Sequence, residues 1–479
     1  MDNIHDTEKQ VDINETPTNM VDEIIKEKLD DIIVTVIEKM DKTMVTDKTT
    51  DNIIDSITAS IEIERKEEQI ITPWKVTSTN GINYTKLIKQ FGCNGIDGEL
   101  IKRFERVTNT RAHRFLRRGL FFSHKDLNIV LDRFEKGEQI YLYTGRGPTS
   151  ASLHLGHMIP FEFTKFLQDA FDAILIIQMS DDEKFYFKEG HQLEHYSELA
   201  YENAKDIIAV GFNPDKTYIF LNSNTVEGKL QTNVIKMMKF TNCNMIKSIF
   251  GLKPEDCSVG QIAWPIYQSV PAFSNSFPDL FDKDIICLVP MAIDQSPYFR
   301  LARDYAGHEK LIKPAEIHSE FLVGLEGINS KMSSSEQAPV IFLTDTKEQI
   351  EKKIKKYAFS GGKSTKEEHI KLGADLTVDV SYQYLLYFLE DDYKLEQIAR
   401  NYKSGKMLTS EIKKITVSYI TDYVLLHQKK KALITNDILY SFFNRNRKFD
   451  KNITQKINIE LFDDEYYNKI GINFNRYFD

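Results

Sequence analysis

Cysteine is scarce in this chain: four residues, Cys93, Cys243, Cys257 and Cys287, are spread through 479 positions without a C-x-x-C pair or histidine partners at ligand spacing. That pattern excludes a disulfide framework and a zinc site, so no protein-bound metal is expected and the thiols are read as reduced and structural. There is no run of eighteen apolar residues, which excludes a membrane-spanning helix. The N-terminus is acidic rather than apolar or Arg-rich, so no targeting segment is read there and a soluble, cytoplasmic protein is expected. Residues 1–70 have neither glycine nor an aromatic residue, a poor composition for an independent core. They hold 19 Asp and Glu against 8 Lys and Arg. They therefore carry −11 against a net charge of −9 for the whole chain, and the remainder is close to neutral at +2. The acidic total is thus no argument against local basic surface on the body of the protein.

What is present divides the chain. Within the acidic extension 1–70, Val21, Ile25, Leu29, Ile32, Val36 and Met40 keep a helical period, which predicts one amphipathic helix in an otherwise flexible segment. Composition changes at Ile70-Ile71-Thr72-Pro73-Trp74, and the folded body is placed from residue 71, with 71–138 as a subdomain preceding the catalytic fold. In it, Arg103 to Arg118 is strongly basic, either a solvated helix face or a contact for phosphate. Apolar runs of strand length follow at Ile140–Tyr143, Ala173–Gln178, Thr217–Leu221 and Ile285–Val289. Helical spacing falls between them, at Tyr196–Val210 and in a Lys- and Met-rich helical pair at Lys229–Phe250. Alternating strands and helices over 139–350 predict an α/β, doubly wound parallel sheet. Beyond Thr346 charged amphipathic segments dominate, at Tyr382–Leu389, Met407–Ile420 and Asp422–Leu433, broken at Gly361-Gly362 and Gly373; they predict a helical domain over 351–445, followed by a tail, 446–479. Basic residues recur on these helices, a pattern that permits RNA binding without requiring it.

Two stretches carry chemistry. The first, Tyr143 to His157, reads YTGRGPTSASLHLGH: strand, glycine-rich turn, helix. Glycine allows backbone to approach a ligand, a helix N-terminus offers unpaired N–H groups to phosphate, and His154 and His157 fall on one face of the first turn. The second is Lys331-Met332-Ser333-Ser334-Ser335, after a segment, Gly324–Ser330, without regular periodicity. A lysine followed by three hydroxyls on a loop suits a polyphosphate whose charge shifts during reaction. Between the two, polar residues stand just beyond the strand-like runs, where open parallel sheets bind ligands. They are Ser180 to Lys184 after the second run, and Asp294 and Gln295 after the fourth.

With both stretches in view the chain resembles a class I aminoacyl-tRNA synthetase, His154-Leu155-Gly156-His157 standing where that class has its HIGH motif and Lys331–Ser335 where it has KMSKS. Within the class it is similar to the tryptophanyl-tRNA synthetases of eukaryotic and archaeal type, through YTGRGP at 143–148, IQMSDDEK at 177–184, AFSNSFP at 272–278 and AIDQSPYFR at 292–300. The resemblance implies a Rossmann-like catalytic domain with a C-terminal α-helical anticodon-binding domain, a homodimer, and ATP used with Mg²⁺. It implies that L-tryptophan is activated as its adenylate and passed to tRNA(Trp). His154, His157 and Lys331 would be catalytic; Arg146, Gly147, Gly156, Lys184 and Met332 to Ser335 would complete the ATP site. Tyr143 and Gln178 would read the indole N–H, and Glu183, Gln268 and Gln295 the ammonium and carboxylate. An indole has one donor and no acceptor, so a hydroxyl or amide oxygen satisfies it; the alternative is that Tyr143 and Gln178 only pair with each other in a core. Asp379 is the candidate for anticodon reading. Rival readings are a tyrosyl-tRNA synthetase, which should present an acid to a phenol, a catalytically silent synthetase-like protein that binds RNA or a partner, and a small-molecule nucleotidyltransferase, which would not explain KMSSS.

Overall fold

The apolar runs become the centre of a seven-stranded sheet. The computed structural model describes residues 69–78, 81–332, 339–446 and 449, the side chains of 329–331 excepted. The amphipathic segment Val21–Met40, the rest of the acidic extension, Ser333–Ser335 and nearly all of the tail lie outside the described residues. In chain order the strands are β1 (Ile70–Ile71), β2 (Val76–Thr77), β3 (Asn94–Gly95), β4 (Phe121–Lys125), β5 (Ile140–Arg146), β6 (Ile174–Met179), β7 (Thr217–Leu221), β8 (Ile286–Ala292), β9 (Ala315–Ser319), β10 (Val323–Gly324) and β11 (Gly327–Lys331). The large sheet runs β3-β4-β9-β8-β5-β6-β7. Its five central and right-hand strands, β9-β8-β5-β6-β7, are parallel, as expected of runs buried on both faces. β3 and β4 add an antiparallel edge that the sequence reading did not foresee. β4 carries Ser123, His124 and Lys125 and so does not read as a continuous apolar run. From β5 the chain winds outward through β6 to β7, then returns to the other side of β5 for β8 and β9. The reversal places a crevice at the C-terminal ends of β5 and β8.

Side chains alternate along these strands and build two separate cores. Leu142, Leu175 and Ile177 face one cluster, which includes Leu155, Phe163 and Leu167 of the helix Leu155–Phe171. Tyr141, Tyr143, Ile174 and Ile176 face the other, with Trp264, Phe273 and Phe299. The first cluster continues without interruption into the C-terminal helices, through Tyr384, Leu385, Ile398 and Ile420.

Those helices run Lys347–Tyr357, Lys366–Leu372, Val380–Phe388, Asp392–Lys403, Thr409–Lys431 and Asn436–Phe443. The two segments expected at Met407–Ile420 and Asp422–Leu433 are one helix, Thr409–Lys431. Neither glycine nor proline interrupts it, and Thr416, Ile420, Val424 and His427 keep a single buried stripe. Asp379 is not placed to read a base. It is fully buried, caps the helix Val380–Phe388 by accepting the Tyr382 N–H, and accepts the Gly361 N–H and the Tyr402 hydroxyl at 2.9 and 2.7 Å.

The basic segment Arg103–Arg118 divides: Arg106 is exposed on its helix, as the solvated-face reading expects, but the last three arginines fit neither reading. Arg114, Arg117 and Arg118 are buried and paired within the protein. Arg117 and Arg118 both grip Asp392, and Arg114 bonds Glu162, Glu390 and the Tyr387 carbonyl. A run of arginines that looked solvated is the clamp between body and C-terminal helices. All four cysteines are free, but only Cys287 is buried; Cys243, near the start of the helix Cys243–Phe250, is exposed. Among the described residues no helix is long and apolar enough to cross a membrane.

Candidate active site

The glycine-rich turn leaves β5 and enters the helix Leu155–Phe171 at the sheet's crevice. His154 is the N-cap, its backbone extended, and its ring stacks on His157 with centroids 3.5 Å apart. The His154 N–H donates to His157 Nδ1 at 3.3 Å, so the two imidazoles are fixed as a unit. Proline at 160 can donate nothing to the carbonyl four residues back, at Gly156. The turn is zipped from outside by the chain that follows the KMSSS stretch: the Leu155 N–H donates to the Ile341 carbonyl, the Leu343 N–H to the Leu153 carbonyl, and His154 bridges Phe342.

Lys331 stands at the end of a strand rather than on the loop expected of it. β10 and β11 form a hairpin, and β11 ends at Lys331. Glycine at 327, at φ 130°, closes the turn between them, a conformation that side chains rarely adopt. β2 pairs β11 on its other side, Thr77 opposite Ser330. Met332 follows, buried, its N–H bonded to the Leu322 carbonyl. A Cβ built on Gly156 would lie 3.5 Å from Met332 Cβ and 3.1 Å from His154 Cε1. The HLGH turn therefore stands beside the residue that follows Lys331, Gly156 and Met332 being 176 positions apart in the chain.

One cleft of about 320 Å³ collects these parts. Of the residues singled out from the sequence, Tyr143, Arg146, Gly147, His154, Gly156 and His157 line it from the first stretch. Gln178, Glu183 and Lys184 line it from the end of β6, Gln268 and Gln295 from the helical segments on either side of β8, and Met332 from the second stretch. Of Lys331, the residue before Met332, only the backbone is described, and Ser333, Ser334 and Ser335 are outside the described residues. The size suits a small ligand with much of its surface enclosed.

Inside the cleft the polar groups are held in order. The Tyr143 hydroxyl lies 2.7 Å from Gln178 Oε1 and 2.8 Å from the Gln268 carbonyl. It has one proton for two acceptors, so its own lone pairs and one on Gln178 remain able to accept. The pairing raised as an alternative is thus present, and it leaves acceptor capacity beside it. Gln268 Nε2 donates to Gln295 Oε1 at 3.0 Å, which orders the two amides. Glu183 takes the Lys184 ammonium at 2.7 Å and the Ser180 hydroxyl at 3.2 Å. Burial lowers the Arg146 guanidinium to about 10, with Glu183 opposing, so it stays a cation at neutral pH. Asn203 receives its Nε at 3.3 Å and donates in turn to the Ser150 carbonyl at 2.7 Å.

Two glycines are required by close approach. A Cβ on Gly145 would come within 3.0 Å of the Gln178 carbonyl, its register partner on β6. One on Gly147 would fall 2.3 Å from Glu183 Oε2 and 2.4 Å from Lys184 Cε. Gly147→Ala is expected to keep its fold, because the atoms it meets are ends of flexible side chains. It should lower kcat/KM for the amino acid by about 100-fold, since a displacement of about 1 Å in a positioned group is enough for that. Thermal unfolding and an exchange assay together check it, and an unchanged kcat/KM would show the Glu183–Lys184 pair to be incidental.

Several lining residues were missed: Pro73 from the strand-poor N-terminal segment, Phe299 and Tyr298 after β8, and Phe321 after β9. Behind the wall, Asn222 stands directly after β7 and Asp182 in the first turn of the helix Asp181–Phe187. The signal that identified Glu183 and Gln295, a polar residue at the end of a buried strand, applies equally to Asn222.

The model for tRNA synthetases class I (W and Y) matches residues 135–422. The cytoplasmic tryptophan–tRNA ligase of Dictyostelium discoideum is 49% identical over 389 residues, 79% of this chain and 96% of that protein. The cytoplasmic ligase of Homo sapiens is 50% identical over 391 residues, 80% and 83% of the two. Among solved structures, the tryptophanyl-tRNA synthetase of Plasmodium falciparum superposes with a TM-score of 0.72 at 50% identity, covering 76% of this chain and 96% of that one. The enzyme of Encephalitozoon cuniculi bound to tryptophan does so at 0.72 and 41%, covering 77% and 99%. The mixed sheet, the joined HLGH and KMSSS stretches and this breadth of similarity make the chain a member of the class I tryptophanyl-tRNA synthetase family.

Proposed function

We propose that this chain is a tryptophan–tRNA ligase that works in the cytoplasm as a homodimer, with ATP entering as its magnesium complex. A tryptophan carboxylate oxygen attacks the α-phosphorus of ATP in line and the bond to the β-phosphate oxygen breaks. Pyrophosphate leaves with that electron pair. A hydroxyl of the terminal adenosine of tRNA(Trp) then attacks the carbonyl of the adenylate, AMP departs, and the hydroxyl proton is lost to solvent. Neither step needs a covalent enzyme intermediate. The protein's task is to align reactants and to neutralise charge that moves onto pyrophosphate.

The stacked pair His154 and His157 donates to phosphate oxygens at the helix N-terminus. Lys331, at the end of β11, follows the charge as it develops, and Ser333 to Ser335 serve the same phosphates. Arg146 and Lys184 supply further cationic contacts, with Gly147 and Gly156 leaving room for the nucleotide. Tyr143 and Gln178 accept the indole N–H; Glu183, Gln268 and Gln295 hold the ammonium and carboxylate. The body 139–350 carries this chemistry, 71–138 supports it and the helices of 351–445 meet the anticodon stem.

The observation that carries the reading is the close approach of Gly156 to Met332 beside the Tyr143–Gln178 pair: the residues assigned to phosphate and those assigned to the indole line one cleft. Exchange of labelled pyrophosphate into ATP, run with each of the twenty amino acids, is expected to proceed with tryptophan alone. Exchange driven by tyrosine would replace this reading with the tyrosyl one, and no exchange with any would make the chain a silent homologue.

A further inference from the structure

Behind the pocket stands a buried carboxylate that no step of the reaction uses. Asp182, 7% exposed, accepts from Asn222 Nδ2 at 2.6 Å through one oxygen and from the Glu183 N–H at 2.9 Å through the other. Asn222, 2% exposed, turns its Oδ1 to Gln178 Nε2 at 2.9 Å. Gln178 Oε1 then faces the Tyr143 hydroxyl at 2.7 Å. The four side chains come from the middle of β5, the end of β6, the residue after β7 and the helix Asp181–Phe187, and they form one file ending in the cleft.

A primary amide is ambivalent: turned over, it offers a donor where it had offered an acceptor. An ionised carboxylate has no such freedom, because it only accepts. Asp182 therefore obliges Asn222 to present Nδ2 to it and Oδ1 to Gln178. Gln178 must then present Nε2 to Asn222 and its oxygen to the pocket. The Tyr267 carbonyl, 3.1 Å from Gln178 Nε2, acts in the same sense.

We propose that Asp182 is a specificity-determining positioning residue, which acts through Asn222 to keep the Gln178 oxygen toward the amino-acid pocket and so selects a side chain that carries a ring donor over an isostere that carries none. The proposal rests on the reading that Gln178 meets the indole. Burial, aided by Asp181 and Glu183 and opposed by the Asn222 and Glu183 N–H donors, raises the Asp182 carboxyl to about 7. Tyr186 and Tyr267 are the other titratable groups against it, and both are themselves pushed up by burial. Asp181 is occupied by the hydroxyls of Ser197 and Ser223 at 2.7 and 2.6 Å. Once protonated, Asp182 can donate to Asn222, whose amide then turns its donor onto Gln178 Nε2. The KM for tryptophan consequently rises as pH falls through about 7, and the preference for a ring donor falls with it.

The test is pyrophosphate exchange by the full chain with tryptophan and with β-benzothienylalanine, in which sulfur replaces the indole N–H. Asp182→Asn is expected to raise the KM for tryptophan about ten-fold, the size of one ordinary hydrogen bond, with kcat close to the parent's. The preference over the sulfur analogue should fall by the same factor, and the pH dependence of KM near neutrality should vanish. Asn222→Asp, which keeps an acceptor toward Gln178 and shares a proton with Asp182, should retain the preference. Gln178→Met serves as reference. If it leaves the preference intact, the indole reading of Gln178 is wrong and the proposal goes with it. If it abolishes the preference while Asp182→Asn changes neither preference nor pH profile, or raises KM equally for both substrates, the role of Asp182 alone is overturned. Should Asp182→Asn not fold, the unsubstituted protein decides: a preference constant across neutral pH overturns the proposal.

Discussion

Asp392→Ala is expected to cost about 3–5 kcal/mol of stability, the penalty for leaving buried charges uncompensated. The carboxylate lies in the core and takes four donors. Oδ1 accepts Nε and an Nη of Arg118 at 2.8 and 2.6 Å; Oδ2 accepts Nε and an Nη of Arg117 at 2.9 and 2.7 Å. Burial alone would raise its pKa, but the two guanidinium groups override it and hold the carboxyl well below the usual range. Burial pulls Arg118 down in turn, yet an arginine remains charged. Removing the carboxylate therefore strands two cations with no route to neutrality. Chemical denaturation measures the loss, and a triple variant, Asp392→Leu with Arg117→Met and Arg118→Met, should recover most of it, because an apolar replacement removes the charges as well. Equal instability of the triple variant would show that packing, not charge, holds the joint. Since the clamp ties the helix Asp392–Lys403 to the body, tRNA charging should fail before tryptophan activation does.

Lys331→Ala should slow adenylate formation by about 100- to 1000-fold, the usual loss when one preorganised donor is taken from a developing anion. Binding of tryptophan should hardly change, because Tyr143 and Gln178 sit on neighbouring strands and are held by each other, Asn222 and the carbonyls of Gln268 and Tyr267. The lysine ends a strand that is held on both sides, by Val323 of β10 and, one residue earlier, by Thr77 of β2. Its backbone is therefore anchored in the hairpin. Single-turnover formation of adenylate, set against equilibrium binding of tryptophan, separates the two effects. An undiminished single-turnover rate would remove Lys331 from the chemistry.

The parallel centre of the sheet was legible because strands buried on both faces need unbroken apolar runs: Thr217–Leu221 appears at the bounds expected, and β5, β6 and β8 begin within a residue of theirs. The site was legible for a related reason. The cleft is lined where such runs stop, so Glu183, Lys184 and Gln295 were found by position, whereas Gln178 entered through the resemblance carried by IQMSDDEK. The strands on the other side of β8 were not legible: β4 and β9 carry Ser123, His124, Glu316 and His318, buried inside the protein, Ser123 Oγ lying 3.0 Å from His318 and His318 Nε2 3.0 Å from Glu316. Polar residues that find their partners inside the fold, as Ser123 does 195 positions away at His318, imitate a loop in a local reading. Arg114, Arg117 and Arg118 misled in the same way, since their partners Asp392 and Glu390 lie more than 270 positions on.

The alternation of side chains on β5 and β6 has a bearing on how such an enzyme can change. Tyr143 and Gln178 lie on the face shared with Trp264 and Phe299, whereas the helix that carries His154 and His157 packs on the opposite face with Leu142 and Ile177. On the proposed roles, recognition of the side chain and handling of the nucleotide come from opposite surfaces of one sheet and meet at its rim. Residues on the first face can be exchanged for others suited to a different amino acid while the second keeps its sequence. A lineage built this way can acquire a new amino acid without relearning how to spend ATP.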